Sequence, residues 1–168
     1  GIINLAGKLR VQDKKTGWFL DEAINEMIPV DIIIHKGFTA MHEKRVVGFI
    51  TYFSEYGKAK IVWMGVDPEH HREGIGRSLL ENAEEDLKST GVDVLYVETP
   101  TKEEGLGTDY EGTYLFYEKM GFEFDKIIDG DTCKMALLKK DIFLPEGTTT
   151  KGFSYTLEDE KIKEYSKL

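Results

Sequence analysis

VDPEHHREGIGRSLL, residues 66–80, joins an apolar run to an amphipathic one through a loop that closes on Gly74 and Gly76. The run before it, AKIVWMGV (59–66), reads as a strand. From Ile75 onward, Leu79, Leu80, Ala83 and Leu87 recur at three- and four-residue spacings, with Glu81, Glu84, Glu85 and Lys88 opposite, which reads as a helix. A helix start leaves several backbone N–H groups unpaired and carries roughly half a positive charge. Glycines there let a ligand's oxygens approach the backbone, so the junction suits a phosphate or pyrophosphate. The alternative is a tight turn into a packed helix, with no ligand. Two familiar phosphate loops do not fit. A P-loop needs an earlier glycine where His71 stands, and a lysine where Arg77 stands. A dinucleotide loop needs a third glycine where Leu79 stands, and a shorter approach from the strand than Val66 to Gly74 gives.

Working outward, residues 21–28 read as a short helix with acids in its first turn, stopped by Pro29. Strands are expected over 38–41, 46–53 and 59–66, joined by turns at 42–45 and 54–57, so the three form an antiparallel meander. After the glycine helix, Gly91 marks a C-cap and 92–97 a largely buried strand. Strand, helix and strand in that order imply a right-handed crossover and a parallel pair. A loop over 99–109, a helix over 112–120 ending at Gly121, and strands over 122–128 and 134–138 complete the pattern. The fold class is α/β (α+β mixed): a central mixed sheet with an antiparallel meander, one βαβ crossover and helices on both faces. Residues 1–20 show little periodicity. Residues 1–143 read as one domain and 144–168 as a C-terminal extension, a linker followed by a short helix opened by the capping-box pattern at Thr156.

The 168 residues are 40% hydrophobic and 32% charged, with a formal net charge of -9. That balance disfavours a nucleic-acid surface, which needs clustered Lys and Arg, and leans toward a cationic partner. Cys133 is the only cysteine, no run approaches the ~18 apolar residues of a membrane span, and no signal peptide is evident. These features point to a cytoplasmic location. The neighbouring His70 and His71 lack Cys, Asp or Glu at ligand spacing, so no metal is expected.

The glycine junction resembles the acetyl-CoA site of the GNAT superfamily, whose signature is [RQ]-x-x-G-x-[GA] with Val-x-Pro a few residues upstream. Val66-Asp67-Pro68 and His71-Arg72-Glu73-Gly74-Ile75-Gly76 supply it, with His71 in place of Arg or Gln. Downstream, residues 113–122 resemble the family's A-x-x-[FL]-Y-x-x-x-G-F. Phe116, Tyr117, Gly121 and Phe122 match, Thr113 replaces Ala, and Tyr110 stands where Asn is common. The resemblance spans residues 38–138, and the family's usual first strand is not evident before Asp21.

The resemblance implies an acetyl-CoA-dependent N-acetyltransferase acting on a primary amine by direct attack through a tetrahedral intermediate. Met64, Gly65, Val66, His71, Arg72, Glu73, Gly74, Ile75, Gly76 and Arg77 would hold the cofactor. Backbone N–H groups of the loop would grip the diphosphate, and pantetheine would run along the strand before it. An N–H of Met64-Gly65-Val66 would face the oxyanion, with Gly65 a natural place for a bulge. Arg77 would reach a phosphate or lie in solvent. Tyr117 would protonate the leaving thiolate, and its other reading is a buried, satisfied aromatic. An alkyl ammonium, of pKa about 10.4, must lose a proton before attack. Glu98, at a strand's C-terminal end, is the candidate base, against a reading in which it caps the loop from Thr99 or pairs with a lysine. Asp109 and Glu55 are weaker candidates. Cys133, at an expected strand with no adjacent His, reads as a small buried side chain rather than a nucleophile. The acceptor would meet residues 21–27 and Asp129-Gly130-Asp131, both acidic, which suits a cationic small amine, a polyamine or a protein amine. The alternative function is a non-catalytic acyl-CoA-binding regulatory or scaffold module.

Overall fold

A computed structural model describes residues 1–142 other than Lys14. The expected C-terminal extension lies outside the described residues. The order is α1 (Ile2–Lys8), a π-helical turn (Ala23–Met27), α2 (Ile28–Ile34), β1 (Lys36–His42), β2 (Arg45–Glu55), β3 (Lys58–Val66), a 3-10 turn (Pro68–His70), α3 (Ile75–Ser89), β4 (Val94–Pro100), α4 (Lys102–Gly105), α5 (Asp109–Lys119), β5 (Glu123–Asp129) and β6 (Lys134–Asp141).

Six strands form one sheet in the order β1-β2-β3-β4-β6-β5. All neighbours are antiparallel except β3 and β4, the parallel pair that the crossover through α3 requires. On one face Leu79 and Leu80 of α3 and Tyr114 and Tyr117 of α5 pack with Ile50, Tyr52, Ile61, Leu95, Val97 and Leu138 of the sheet. The other carries α1 and the π-turn over Leu5, Leu9, Phe19, Ile24, Ile28 and Phe49. Helices therefore cover both faces, as the unbroken buried run of residues 47–52 in β2 requires.

Four local readings are corrected. The first twenty residues contain α1, whose Leu5 and Ala6 are buried on the sheet. Pro29 does not stop a helix: it follows the π-helical turn directly, at the start of α2, and that change of helical bonding accommodates a residue without an N–H. The strand expected at 92–97 begins at Val94, because the N–H groups of Gly91 and Val92 bond back to Lys88 and Leu87 and complete the helix end. Cys133 lies in the bend before β6, half-buried, its sulfur 3.7 Å from that of Met135.

The feature that makes a site is a parting of the sheet. β3 and β4 pair only at Lys58↔Val94, Ala59↔Leu95 and Lys60↔Tyr96, then diverge. The cause lies on the other side of β3. There Thr51 faces Trp63 but Tyr52 faces Ile61, which leaves Val62 without a partner. Thr51 Oγ1 accepts the Trp63 N–H at 3.1 Å, so the bulge is bonded in place. An extra residue bends and twists its strand, and here it turns β3 away from β4. The bulge thus falls at Val62 and not at Gly65, which pairs in register with Phe49. Gly65 has a packing reason: a Cβ there would lie 2.6 Å from Leu9 Cδ1.

Burial holds several phenols neutral. Tyr117 and Tyr52 are pushed well above the usual tyrosine range, and Tyr110 up to about 12. Because these folded values exceed the unfolded one, their contribution to stability is complete below pH ~10 and is lost as pH rises through that value toward the folded ones. On the alkaline side, ionisation of these phenols should therefore lower the melting temperature only above that pH, with phenolate absorbance from these residues rising together with unfolding. Their ionisation near pH 10 in a still-folded chain, at the ordinary tyrosine value, would contradict this.

Candidate active site

Between β3 and α3 the chain makes a braced loop. The Asp67 N–H bonds Val47 O at 2.8 Å, and Asp67 Oδ1 accepts the Glu69 N–H at 3.1 Å. Lys8 Nζ sits 2.7 Å from Asp67 Oδ2 and 3.2 Å from Glu69 Oε2. Burial alone would raise the Asp67 carboxyl, but the Lys8 and Glu69 bonds outweigh it and hold it below the usual carboxylate range. His71 donates from Nε2 to Val66 O at 2.9 Å, and His70 Nδ1 lies 3.0 Å from Glu73 Oε2.

The loop ends in two left-handed residues, Arg72 at φ 65° and Gly74 at φ 81°. Gly74 is the N-cap of α3, with no side-chain cap and no acid in the first turn. The first N–H groups of this helix are thus not spoken for by a side chain, and nothing lies within 4 Å of where a Gly74 Cβ would stand. Uncapped N–H groups beside open space are the features that an anion site at a helix start requires. Arg77 is exposed beside it.

Gly76 joins this loop to the second signature. A Cβ on it would meet Phe116 Cε2 at 3.3 Å and Met64 Cε at 3.4 Å. Tyr117, next along α5, is 4% exposed and points its hydroxyl at Met64 Sδ, 3.6 Å away. Phe116 and Phe122 pack edge-on to its ring at 5.3 Å each. Met64 lies on the stretch of β3 that has left β4. Since the Asp67 N–H points to β2, antiparallel alternation turns the Gly65 backbone to β2 as well, and the Met64 and Val66 groups toward the parting.

Glu98 lies on β4 beyond Tyr96, the last residue paired with β3, on the face opposite Val97. Its carboxylate is bonded to Lys60 Nζ. Tyr117 and Glu98 therefore flank the parting from opposite sides of the sheet. The other candidate carboxylates are elsewhere. Asp109 Oδ2 accepts the Gly17 N–H at 2.9 Å. Glu55 closes the β2–β3 hairpin, eight residue steps or ~26 Å along β3 from Val66.

Sequence reasoning missed residues 15–18. Besides the Gly17 bond, Lys15 O accepts the Asp109 N–H at 3.1 Å. The Tyr110 hydroxyl bonds Trp18 O, and Trp18 Nε1 donates to Thr113 Oγ1 at 3.1 Å. The Trp18 ring also meets His71 edge-on, 5.8 Å between centroids. The only local signal was an aromatic pair after a turn, without periodicity. Among the described residues no cluster of three His, Cys, Asp or Glu side chains is placed to hold a metal, and no helix is long and apolar enough to cross a membrane.

An acetyltransferase (GNAT) domain family model matches residues 34–124. Solved structures with the same fold include the PaiA N-acetyltransferase of Thermoplasma acidophilum in complex with coenzyme A. It is 20% identical over 83% of this chain and 90% of its own, with a TM-score of 0.64. An aminoglycoside 6'-acetyltransferase type Ii is 22% identical over 74% of this chain and 80% of its own, TM-score 0.61. An Escherichia coli N-acetyltransferase of a ribosomal-protein alanine is 20% identical over 69% and 75%, TM-score 0.54. No curated protein matches in sequence.

Proposed function

Because the chain belongs to the GNAT acetyltransferase family, we propose that it transfers the acetyl group of acetyl-CoA to a primary amine by direct attack. The observation that carries this reading is the Tyr117 hydroxyl. It is buried, its one hydrogen-bond partner among the described residues is the weak acceptor Met64 Sδ, and it lies at the edge of β3 where the sheet parts. A proton held there is available to a departing thiolate. Burial makes the phenol a poorer acid, but it also destabilises the thiolate, so the transfer is governed by their difference.

The N–H groups around Gly74 take the diphosphate, and the Met64 and Val66 backbone groups line the parting for pantetheine and the oxyanion. Glu98 takes the ammonium proton, directly or through water, once the incoming cation displaces Lys60. Acid and base on opposite sides suit a reaction in which the amine arrives from one side and sulfur leaves toward the other. Asp129 and Asp131, exposed in the turn beside Thr101, favour a cationic acceptor at the mouth. The neighbours' acceptors range from aminoglycosides to a ribosomal-protein alanine, so the fold leaves the acceptor open. With Cys133 its only cysteine, the chain suits the cytoplasm.

A second reading, a CoA-binding module without catalysis, is favoured by Lys60 on Glu98, which leaves the base occupied. Incubation with acetyl-CoA and a panel of primary amines separates the two. Amine-dependent thiol release is expected. CoA binding with silence across small amines, polyamines and lysine peptides would favour the module.

A further inference from the structure

Three positions differ from the family's two signatures: His71, Tyr110 and Thr113. All three meet at one residue. Trp18 puts its ring edge on His71, its indole N–H on Thr113 Oγ1, and its carbonyl under the Tyr110 hydroxyl. His71 is itself bonded to Val66 O, at the end of β3. Thr113 stands four residues before Tyr117, on the same face of α5. Trp18 therefore touches the glycine loop on one side of the parting and the helix of the buried tyrosine on the other. Two further bonds, Gly17 N–H to Asp109 Oδ2 at 2.9 Å and Asp109 N–H to Lys15 O at 3.1 Å, fix the same strap to the start of α5.

We propose that Trp18 is a positioning residue that links the cofactor loop to α5, so that occupancy of the loop is carried through His71 to the strap over the parting. The inference rests on the reading of that loop as the CoA site. His71 is exposed on the loop, and its contact with Trp18 gives the loop a second path to α5 beside the packing of Gly76 on Phe116. A diphosphate drawn against the N–H groups of residues 72–77 would move His71, and with it the indole. In return, the indole holds the loop in its receptive shape.

The chain has two tryptophans, so Trp63→Phe leaves Trp18 as the sole indole reporter. CoA is titrated into this variant, following emission and heat in parallel. Trp18 emission should change with the same midpoint as the heat, and the change should vanish in Trp18→Phe, where Trp63 remains. Loss of one hydrogen bond and one aromatic contact should weaken CoA binding roughly tenfold in Trp18→Ala; Trp18→Phe, which keeps a ring beside His71 but cannot donate to Thr113 Oγ1, should recover only part of that loss. If Trp63→Phe fails to fold, the difference between the native protein and Trp18→Phe supplies the same signal. Full heat with flat Trp18 emission, or native CoA affinity in Trp18→Ala, would overturn the link while leaving the CoA site standing. An absence of heat in the native protein would overturn both.

Discussion

Tyr117→Phe should lower acetyl-transfer turnover by roughly 10²–10³-fold while leaving CoA affinity and thermal stability as they were. The substitution removes one oxygen and keeps the ring, whose edge-on contacts with Phe116 and Phe122 supply the packing. Among the described residues the lost oxygen bonds only a thioether, a weak acceptor, so its removal leaves none of their buried polar atoms unpaired. A purely structural tyrosine would show the reverse pattern, with melting temperature shifted and turnover retained. Steady-state kinetics and a melt on one preparation distinguish the two. Turnover within a few-fold of native would remove Tyr117 from the chemistry.

Gly74→Val should weaken CoA binding roughly 10²–10³-fold, because it costs one or two charge-assisted bonds to the diphosphate. A branched side chain at φ 81° also strains the cap by about 1–2 kcal/mol, so a modest loss of stability should accompany the effect. The two consequences separate by calorimetry at a temperature where the variant is folded. The site of the new side chain is open space, so no core contact is disturbed. Gly76 is a poorer test, since its Cβ would press on Phe116 and Met64 and disturb Tyr117 as well. Native affinity in Gly74→Val would place the diphosphate elsewhere.

The strands and the pairing of those joined by short turns were legible wherever alternation and helical spacing were strong, but the insertion of β6 between β4 and β5 was not. The β1–β2–β3 meander, the α3 crossover and the terminal β5–β6 pair all appear within a few residues of expectation. Boundaries slipped where a backbone detail decides them, as at Val92, whose N–H completes the α3 terminus instead of opening a strand. The bulge could not be placed from letters. Gly65 invited it, but the Thr51 hydroxyl bonding the Trp63 N–H determines it, and that is a contact across strands. The same distance in sequence hid Lys60 from Glu98 and Trp18 from His71 and Thr113. The glycine loop and Tyr117 were readable because each sits in a local pattern. Their meeting through Gly76, Phe116 and Met64 is tertiary, and only the fold displays it.

The central claim is that one cofactor spans from the α3 N-terminus to the Tyr117 hydroxyl. A crystal structure with CoA bound tests it most directly. The account predicts diphosphate oxygens within hydrogen-bond distance of backbone N–H groups between Arg72 and Arg77, and the CoA sulfur beside Tyr117 and Met64 where β3 leaves β4. A nucleotide seated away from that loop, or a sulfur directed away from Tyr117, would contradict it.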